Sequence, residues 1–203
     1  MARARVFGLV STGLCAVVVL VGPAASRTSS NVQSRGTVEV TIRAADIDSL
    51  DPAQSYSVAA YYLVDATCAH LLRYVPSKSG YRLTPETAAR FPTVARDRRT
   101  FTFIVRGGFR FSDGTAVHAS AFARSINRTL APGVKSPFAQ YSSDIVGAER
   151  VLAGKAASAS GVVARGNTLI VHLKRPVLDF AARSTFFCAV PPTLPADPEG
   201  IGA

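Results

Sequence analysis

The sequence lacks the residue spacings that mark common catalytic and metal-binding sites. It contains no HExxH, CxxC or GxSxG motif, and its three histidines, His70, His118 and His172, lie far apart in the chain. The pair Gly107-Gly108 lacks the spacing of a phosphate-binding loop and is followed by residues typical of a strand. The sequence therefore predicts no catalytic residue, no metal site and no cofactor.

Acidic residues are scarce, since 13 Asp and Glu stand against 23 Lys and Arg and leave a net charge of +10. Such a charge favours nucleic acid or an anionic surface as a partner. The basic residues, however, occur singly or in pairs such as Arg98-Arg99, with no run of five and no stripe interleaved with aromatic residues. We therefore expect no nucleic-acid binding, while attachment to an anionic cell surface stays open.

No hydrophobic run is long enough to span a bilayer, which takes about 20 residues. The apolar stretch 6–21 is shorter, contains two hydroxyl residues, follows Arg3 and Arg5, and precedes small residues up to Ser26. This arrangement predicts a secretory signal peptide over 1–26 and export to the periplasm or outer face of the cell, with a retained anchor as the alternative. A polar leader at 27–36 should follow.

Cysteine is rare, and export of the chain would leave only Cys68 and Cys188 in the mature protein. An even number of cysteines in an oxidising compartment favours a disulfide. Two buried free thiols are the alternative.

Hydrophobic periodicity predicts the following elements in the first part of the chain. Residues 37–43 alternate like a half-buried strand, whereas 57–74 follow the helical period with Ser57 as its N-cap. A single helical turn is expected at 84–92 between two prolines. Residues 99–115 alternate again and predict two strands joined around Gly107-Gly108.

The second part of the chain also mixes the two periods. A helix is predicted at 118–130 with Arg128 on its polar face, and a weaker one at 143–156. Residues 162–174 read as a β-hairpin turning at Gly166-Asn167, and a last short helix is expected within 176–183. No internal repeat is present, so the order of elements predicts a mixed α+β or α/β fold.

Nine short segments in order resemble the N-terminal region of the family 5 solute-binding proteins, over residues 37–192. The main ones are Leu-Asp-Pro at 50–52, Pro-Glu at 85–86, Thr-Phe-Thr-Phe at 100–103, Phe-Arg-Phe-Ser-Asp-Gly-Thr at 109–115, Ser-Pro at 136–137, Ile-Val-Gly-Ala-Glu at 145–149, Gly-Lys at 154–155 and Thr-Leu-Ile-Val-His-Leu-Lys-Arg-Pro at 168–176. The family comprises extracytoplasmic receptors of ABC importers for dipeptides, oligopeptides and nickel chelates.

The resemblance implies part of a type II periplasmic-binding-protein lobe, with the extra subdomain of peptide binders at about 53–185. Residues 37–203 would then be the N-terminal part of a two-lobed, monomeric receptor that binds a peptide-like solute and docks on an ABC permease. The family is more than twice as long as this chain, so a truncated receptor is expected. The alternatives are a short secreted cationic protein, or a non-functional remnant, on an anionic cell surface, and lastly an enzyme.

The resemblance also implies which residues face the solute. They lie in the loop after Leu-Asp-Pro and in the segment after Ser-Pro, and are Tyr56, Ser57, Val58, Phe138, Ala139 and Tyr141. Ordinary packing of the two tyrosines within the subdomain is the alternative. Some secreted members have cysteines in similar places, which supports a bond between Cys68 and Cys188.

The chain departs from the family pattern in three ways: it lacks the second lobe, and it differs at one helix start and at one turn. The helix at His118 opens without the usual Ser or Thr and acids, which weakens its cap by about 1 kcal/mol. Arg98-Arg99 replaces a turn that usually contains Gly, and Arg98 adopts positive φ less readily than Gly.

Overall fold

The computed structural model of the protein describes residues 39–194. The predicted signal peptide and leader, residues 1–36, lie outside the described residues, as do residues 195–203. The chain divides into a unit of residues 1–40, of which only Glu39 and Val40 are described, and a second unit from Thr41 onward. All described helices and strands belong to the second unit. None of those helices has both the length and the apolar composition needed to cross a membrane.

Among its described residues, 41–194, the second unit contains six strands and five helices, together with 3-10 turns at Ala44–Asp46 and Ser184–Phe186. The strands are β1 (Leu72–Ser77), β2 (Gly80–Pro85), β3 (Thr93–Val94), β4 (Thr100–Ile104), β5 (Val162–Arg165) and β6 (Thr168–His172). The helices are α1 (Val58–Thr67), α2 (Ala119–Leu130), α3 (Ala139–Ser142), α4 (Ala148–Leu152) and α5 (Phe180–Arg183). Strands β1 and β2 form a hairpin, and the others form an antiparallel sheet in the order β3-β4-β6-β5.

The core lies between the four-stranded sheet and α2. In β4 the alternation buries Phe101 and Phe103, which stand opposite Val171 and Leu169 of β6. Helix α2 covers this face with the fully buried residues Phe122, Ile126 and Leu130. The first of the two strands predicted at 99–115, the hairpin at 162–174 and the helix at 118–130 are thus confirmed, and each packs an apolar face into this core.

The predicted helix at 57–74 is too long. Ser57 is its N-cap, and its hydroxyl accepts a hydrogen bond from the Ala60 N–H at 3.2 Å, but the helix ends at Thr67. Leu72 already belongs to β1, which pairs with β2 along its whole length. Leu71 lies just before β1 and Leu72 is its first residue, and both are buried in the main hydrophobic core. Counting apolar residues at the helical period did not distinguish this arrangement from a longer helix.

Three further sequence predictions are wrong. Residues 84–92 form no helical turn, because β2 continues through Pro85 and Ala88 forms an isolated bridge with Val105. Phe109 and Phe111 do not pair with β4, whose two edges are occupied by β3 and β6. The helix predicted at 143–156 is reduced to the short α4, with Gly147 at φ +83° just before it.

The strand predicted at 37–43 also fails within the described residues, since 39–43 contain no strand. A strand is stable only when a neighbour pairs with its backbone. No strand among residues 41–194 provides that neighbour for this segment. Its alternating pattern therefore has no sheet to join in the part of the chain that the structure describes.

The two local departures from the family pattern have the expected geometry. His118 is the N-cap of α2, and its side chain makes no capping hydrogen bond. Arg98 has φ +55°, in the left-handed region that is costly for a residue with a Cβ.

Arg128 was predicted on the polar face of α2 but is buried, with 3% of its surface exposed. Its two terminal nitrogens donate to the two carboxylate oxygens of Asp51 at 2.6 Å each. Asp51 also accepts a hydrogen bond from the Ala53 N–H at 3.0 Å. The pair joins residues 77 positions apart, so it fixes the Leu-Asp-Pro loop to the core helix.

His70 is a second buried polar residue, 4% exposed, between β1 and the C-terminal end of the described chain. The backbone N–H of His70 donates to Glu86 Oε2 at 3.0 Å, and its backbone carbonyl accepts from the Thr87 hydroxyl at 2.7 Å. Burial lowers the pKa of the His70 imidazole, and the nearby carboxylates of Glu86 and Asp65 oppose this only in part. Arg73 bridges the same two carboxylates at 3.2 and 3.3 Å.

The substitution Asp51→Asn should lower the free energy of unfolding by about 3–5 kcal/mol, because it removes the carboxylate that matches the buried Arg128 charge. Urea unfolding of the purified protein measures this loss. Asp97→Asn is the matched control, since the Asp97–Arg99 pair is about half exposed on both sides and should cost less than about 1 kcal/mol. Equal losses for the two variants would contradict the structural role of the buried pair.

The lowered pKa of His70 predicts that the protein loses stability as the pH falls below about 6.5, the pKa of histidine in an unfolded chain. Below that pH the unfolded chain binds a proton that the folded protein does not, which lowers the free energy of unfolding by up to about 1.4 kcal/mol per pH unit. Above it this contribution to stability is fully present.

Urea unfolding at pH 7.5 and 5.5 checks this pH dependence. In the variant His70→Gln, the free energy of unfolding should lose the part of its pH dependence that His70 causes. The variant His118→Gln, at an exposed position, should keep it. An unchanged slope in His70→Gln would show that another group causes the acid sensitivity.

Candidate functional site

Four aromatic side chains from three separate segments meet on one surface, and we refer to Tyr56, Phe138, Tyr141 and Phe186 as the aromatic cluster. The rings of Tyr141 and Phe186 stack at 4.5 Å between centroids, and those of Phe138 and Phe186 at 5.5 Å. Tyr56 lies 6.1 Å from Phe138 and is 70% exposed, while the other three rings are half-buried. The cluster therefore offers ring surface to solvent rather than filling the core.

Asp48 shapes the loop that carries Tyr56. Its Oδ2 accepts the N–H groups of Tyr56 at 2.9 Å and Ser57 at 2.8 Å, and its Oδ1 accepts the Ser57 hydroxyl at 3.0 Å. Burial alone would raise the pKa of the Asp48 carboxyl, but these hydrogen bonds outweigh it and hold the pKa below its usual value. The ionised carboxylate thus fixes the backbone at the start of α1.

Two contacts hold this loop beside the segment that carries Phe138. The Asp51–Arg128 pair ties the first half of the Tyr56 loop to α2. The Gln54 side-chain amide, in the same loop, donates to the Val134 carbonyl at 2.9 Å. Val134 lies four residues before Phe138, whose own N–H donates to the Ser136 hydroxyl at 3.2 Å. The two loops are therefore positioned against each other by buried polar contacts, and Tyr56 and Phe138 meet as a result.

The disulfide places the last ring. Cys68, at the C-cap of α1, is bonded to Cys188, with the two Cα atoms 5.5 Å apart. A hydrogen bond from the Ala189 N–H to the Ala69 carbonyl at 2.9 Å runs alongside. Phe186 precedes Cys188 by two residues, so the cross-link brings its ring to the cluster.

The six residues predicted to face a solute take different positions. Tyr56, Phe138 and Tyr141 come together in the aromatic cluster. The Ser57 hydroxyl is engaged by the α1 cap and by Asp48, and Val58 is 70% exposed at the first residue of α1. Ala139 is half-buried at the start of α3. Their role in binding stays a prediction.

Phe186 was missed by the sequence analysis. The adjacent pair Phe186-Phe187 just before Cys188 was the available signal, because one partner of a disulfide carries its neighbours to the other. Phe187 turns into the core, at 2% exposure, while Phe186 stays half-buried at the surface. Sequence alone could not tell which of the two rings would reach the cluster.

Comparison with protein families matches residues 82–202 to the bacterial extracellular solute-binding proteins, family 5, middle region. This covers more than half of the chain. A comparison of the sequence with curated proteins finds no match.

Solved structures of peptide-binding proteins resemble the chain. The murein tripeptide binding protein MppA of Escherichia coli is 28% identical, with a TM-score of 0.63, and the match covers 72% of this chain and 29% of MppA. OppA of Haemophilus influenzae, solved in complex with RPPGFSPFR, is 25% identical with a TM-score of 0.66, over 72% of this chain and 29% of OppA.

A third structure, a periplasmic oligopeptide-binding protein of Borrelia burgdorferi, is 28% identical with a TM-score of 0.60, over 70% of this chain and 29% of that protein. The matched part of this chain thus corresponds to less than a third of each of these proteins.

The mixed helix and sheet architecture, shared with part of these type II binding proteins, agrees with the predicted fold class. Together with the match over residues 82–202, it places the chain in a family. The chain belongs to the bacterial extracellular solute-binding proteins, family 5.

Proposed function

We propose that the chain is the N-terminal part of an exported receptor that binds a peptide-like solute and delivers it to an ABC permease. The family comprises extracellular solute-binding proteins, and the similar structures are named for tripeptide and oligopeptide binding. Residues 1–26 would direct export, 27–36 would form a leader, and 37–203 would supply one side of the solute site. We assign no reaction to it.

The aromatic cluster is the observation that carries this proposal. Its rings come from the two segments that the family resemblance assigns to the solute, plus Phe186. Val58 and Tyr62, on the helix that follows the Tyr56 loop, are also exposed apolar residues, at 70% and 67% exposure. An exposed apolar surface of this kind on a secreted domain marks an interaction site.

A peptide suits this surface on chemical grounds. Aromatic rings give contact area to varied side chains without demanding one sequence, and they lose little conformational entropy on binding. The backbone of an extended peptide can form hydrogen bonds with loop edges whatever its side chains are. A site that combines both accepts many peptides of similar length.

The rest of the receptor would complete the site. The similar proteins are more than three times as long as the part that matches this chain, so a second lobe would close over the solute from the other side. Residues 39–43, which have no strand partner among the described residues, would pair with a strand of the rest of the receptor. We expect the receptor to act as a monomer.

The substitution Phe138→Ala should weaken the binding of tri-alanine to the purified chain by about 2- to 12-fold, because it removes the ring that contacts three other members of the cluster. Calorimetric titration at low and at 1 M salt measures the dissociation constant. Affinity should change little with salt, since the surface is apolar and tri-alanine carries no net charge.

Tyr81→Ala is the control, because Tyr81 is 76% exposed on the β1-β2 hairpin and makes no contact with the cluster rings. It should bind tri-alanine like the wild type. Equal weakening by both substitutions would contradict the proposed site. Binding only to anionic surfaces, lost at 1 M salt, would instead favour the cationic surface protein.

A further inference from the structure

A small cavity of about 20 Å³ lies directly beneath the aromatic cluster. Its lining includes Ser55, Tyr61, His70, Phe138, Phe186 and Cys188. Members of the aromatic cluster, one cysteine of the disulfide and the buried histidine therefore line the same cavity. A cavity of this size holds about one water molecule or one atom group of similar size.

Two residues lining the cavity carry polar atoms with no hydrogen-bond partner. The Ser55 hydroxyl and both ring nitrogens of His70 are buried and have no hydrogen-bond partner of normal geometry. Ser55 is 2% exposed and His70 is 4% exposed. Ser142 Oγ and Arg73 Nε are likewise unpaired, but their residues do not line this cavity. Buried polar groups in folded proteins nearly always have a partner, so the cavity calls for a polar occupant.

The surrounding residues fix His70 in place without satisfying its ring. Its backbone is held by Glu86 and Thr87 and by a bridge to Cys188. The nearest carboxylate oxygen, Asp65 Oδ1, lies 3.6 Å from Nε2, too far for a hydrogen bond, and Asp65 is also paired with Arg73. The backbone of Thr185, which also lines the cavity, interacts with the imidazole, but no hydrogen bond of normal geometry reaches either ring nitrogen.

We propose that this cavity is a subsite for one small uncharged hydrogen-bonding group of the solute, such as the hydroxyl of a serine or threonine side chain. A neutral imidazole offers one donor and one acceptor, and the Ser55 hydroxyl offers both, which matches a hydroxyl. A charged group is disfavoured, because the neighbouring carboxylates Asp65 and Glu86 are already shared with Arg73. Water fills the cavity when the solute has no such group.

The lining of the cavity overlaps with the aromatic cluster. Phe138 and Phe186 belong both to the lining and to the cluster, and Tyr61, also in the lining, is 41% exposed. A solute on these rings would therefore lie next to the side chains that line the cavity. The inference rests on the proposed function, because it names a preference of the same peptide-binding surface.

Calorimetric titration with four tripeptides tests the subsite, namely tri-alanine and the three peptides that carry serine at one position. One serine peptide should bind about 2- to 12-fold tighter than tri-alanine, the gain expected from a hydrogen bond that replaces water. In Ser55→Ala this ratio should fall to about 1, whereas Ser143→Ala, a nearby hydroxyl bonded to the Gln140 carbonyl, should keep it. The ratio is used because it cancels any general loss of affinity in a variant.

Three results would overturn the subsite. The four peptides bind the wild type equally, or Ser55→Ala keeps the serine preference while melting like the wild type, or a crystal structure without peptide shows no water within reach of Ser55 and His70. If Ser55→Ala does not fold, the wild-type ratio and the crystallographic water still decide. If tri-alanine itself does not bind, the proposed function fails and the subsite with it, whereas binding without serine preference removes the subsite alone.

Discussion

The buried ion pair between Asp51 and Arg128 is the constraint on which the candidate site depends. Both side chains are only 2% exposed, so their charges can be tolerated only because each matches the other with two hydrogen bonds. The pair ties an irregular loop to the central helix of the core. Since Tyr56 follows Asp51 closely in that loop, the position of the aromatic cluster is set by an interaction in the interior.

Several of the few acidic residues of the chain fix loops or basic side chains in place. Asp48 orders the loop before α1, Asp51 holds Arg128, and Asp65 and Glu86 share Arg73. Asp144 binds Arg175 and Arg183, and the hydrogen bond from Arg175 is the main cause that lowers the pKa of this carboxyl despite partial burial. These carboxylates therefore serve as fixed contacts for loops and basic side chains, whereas others such as Glu149 and Asp179 remain largely exposed.

Regular elements with one clear apolar face were predictable from the sequence, and irregular ones were not. Strand β4 and helix α2 bury Phe101, Phe103 and Phe122 at the spacing of their own period, so the alternation that starts at 99 and the helix at 118–130 were recognised from the sequence. The β1-β2 hairpin was missed, because two adjacent buried leucines fit either period. The burial of Arg128 was missed as well, since its partner lies 77 residues away and only the folded chain brings the two together.

The candidate site likewise combines residues that the sequence indicated with residues that only the folded structure reveals. The family resemblance brought Tyr56, Phe138 and Tyr141 to attention, and the structure places these three rings together. Phe186 reaches them near the disulfide between Cys68 and Cys188. Ser55 and His70, whose side-chain polar atoms lack a hydrogen-bond partner of normal geometry, line a cavity that no sequence pattern predicts. Long-range contacts, rather than local propensity, therefore decide which side chains could meet a solute.

The position of a bound peptide can be located by nuclear Overhauser effects between the methyl groups of tri-alanine and the aromatic rings of the protein. We expect contacts to the rings of Tyr56, Phe138, Tyr141 and Phe186. Contacts confined to other rings, such as Tyr74 and Tyr81 on the exposed hairpin, would contradict it.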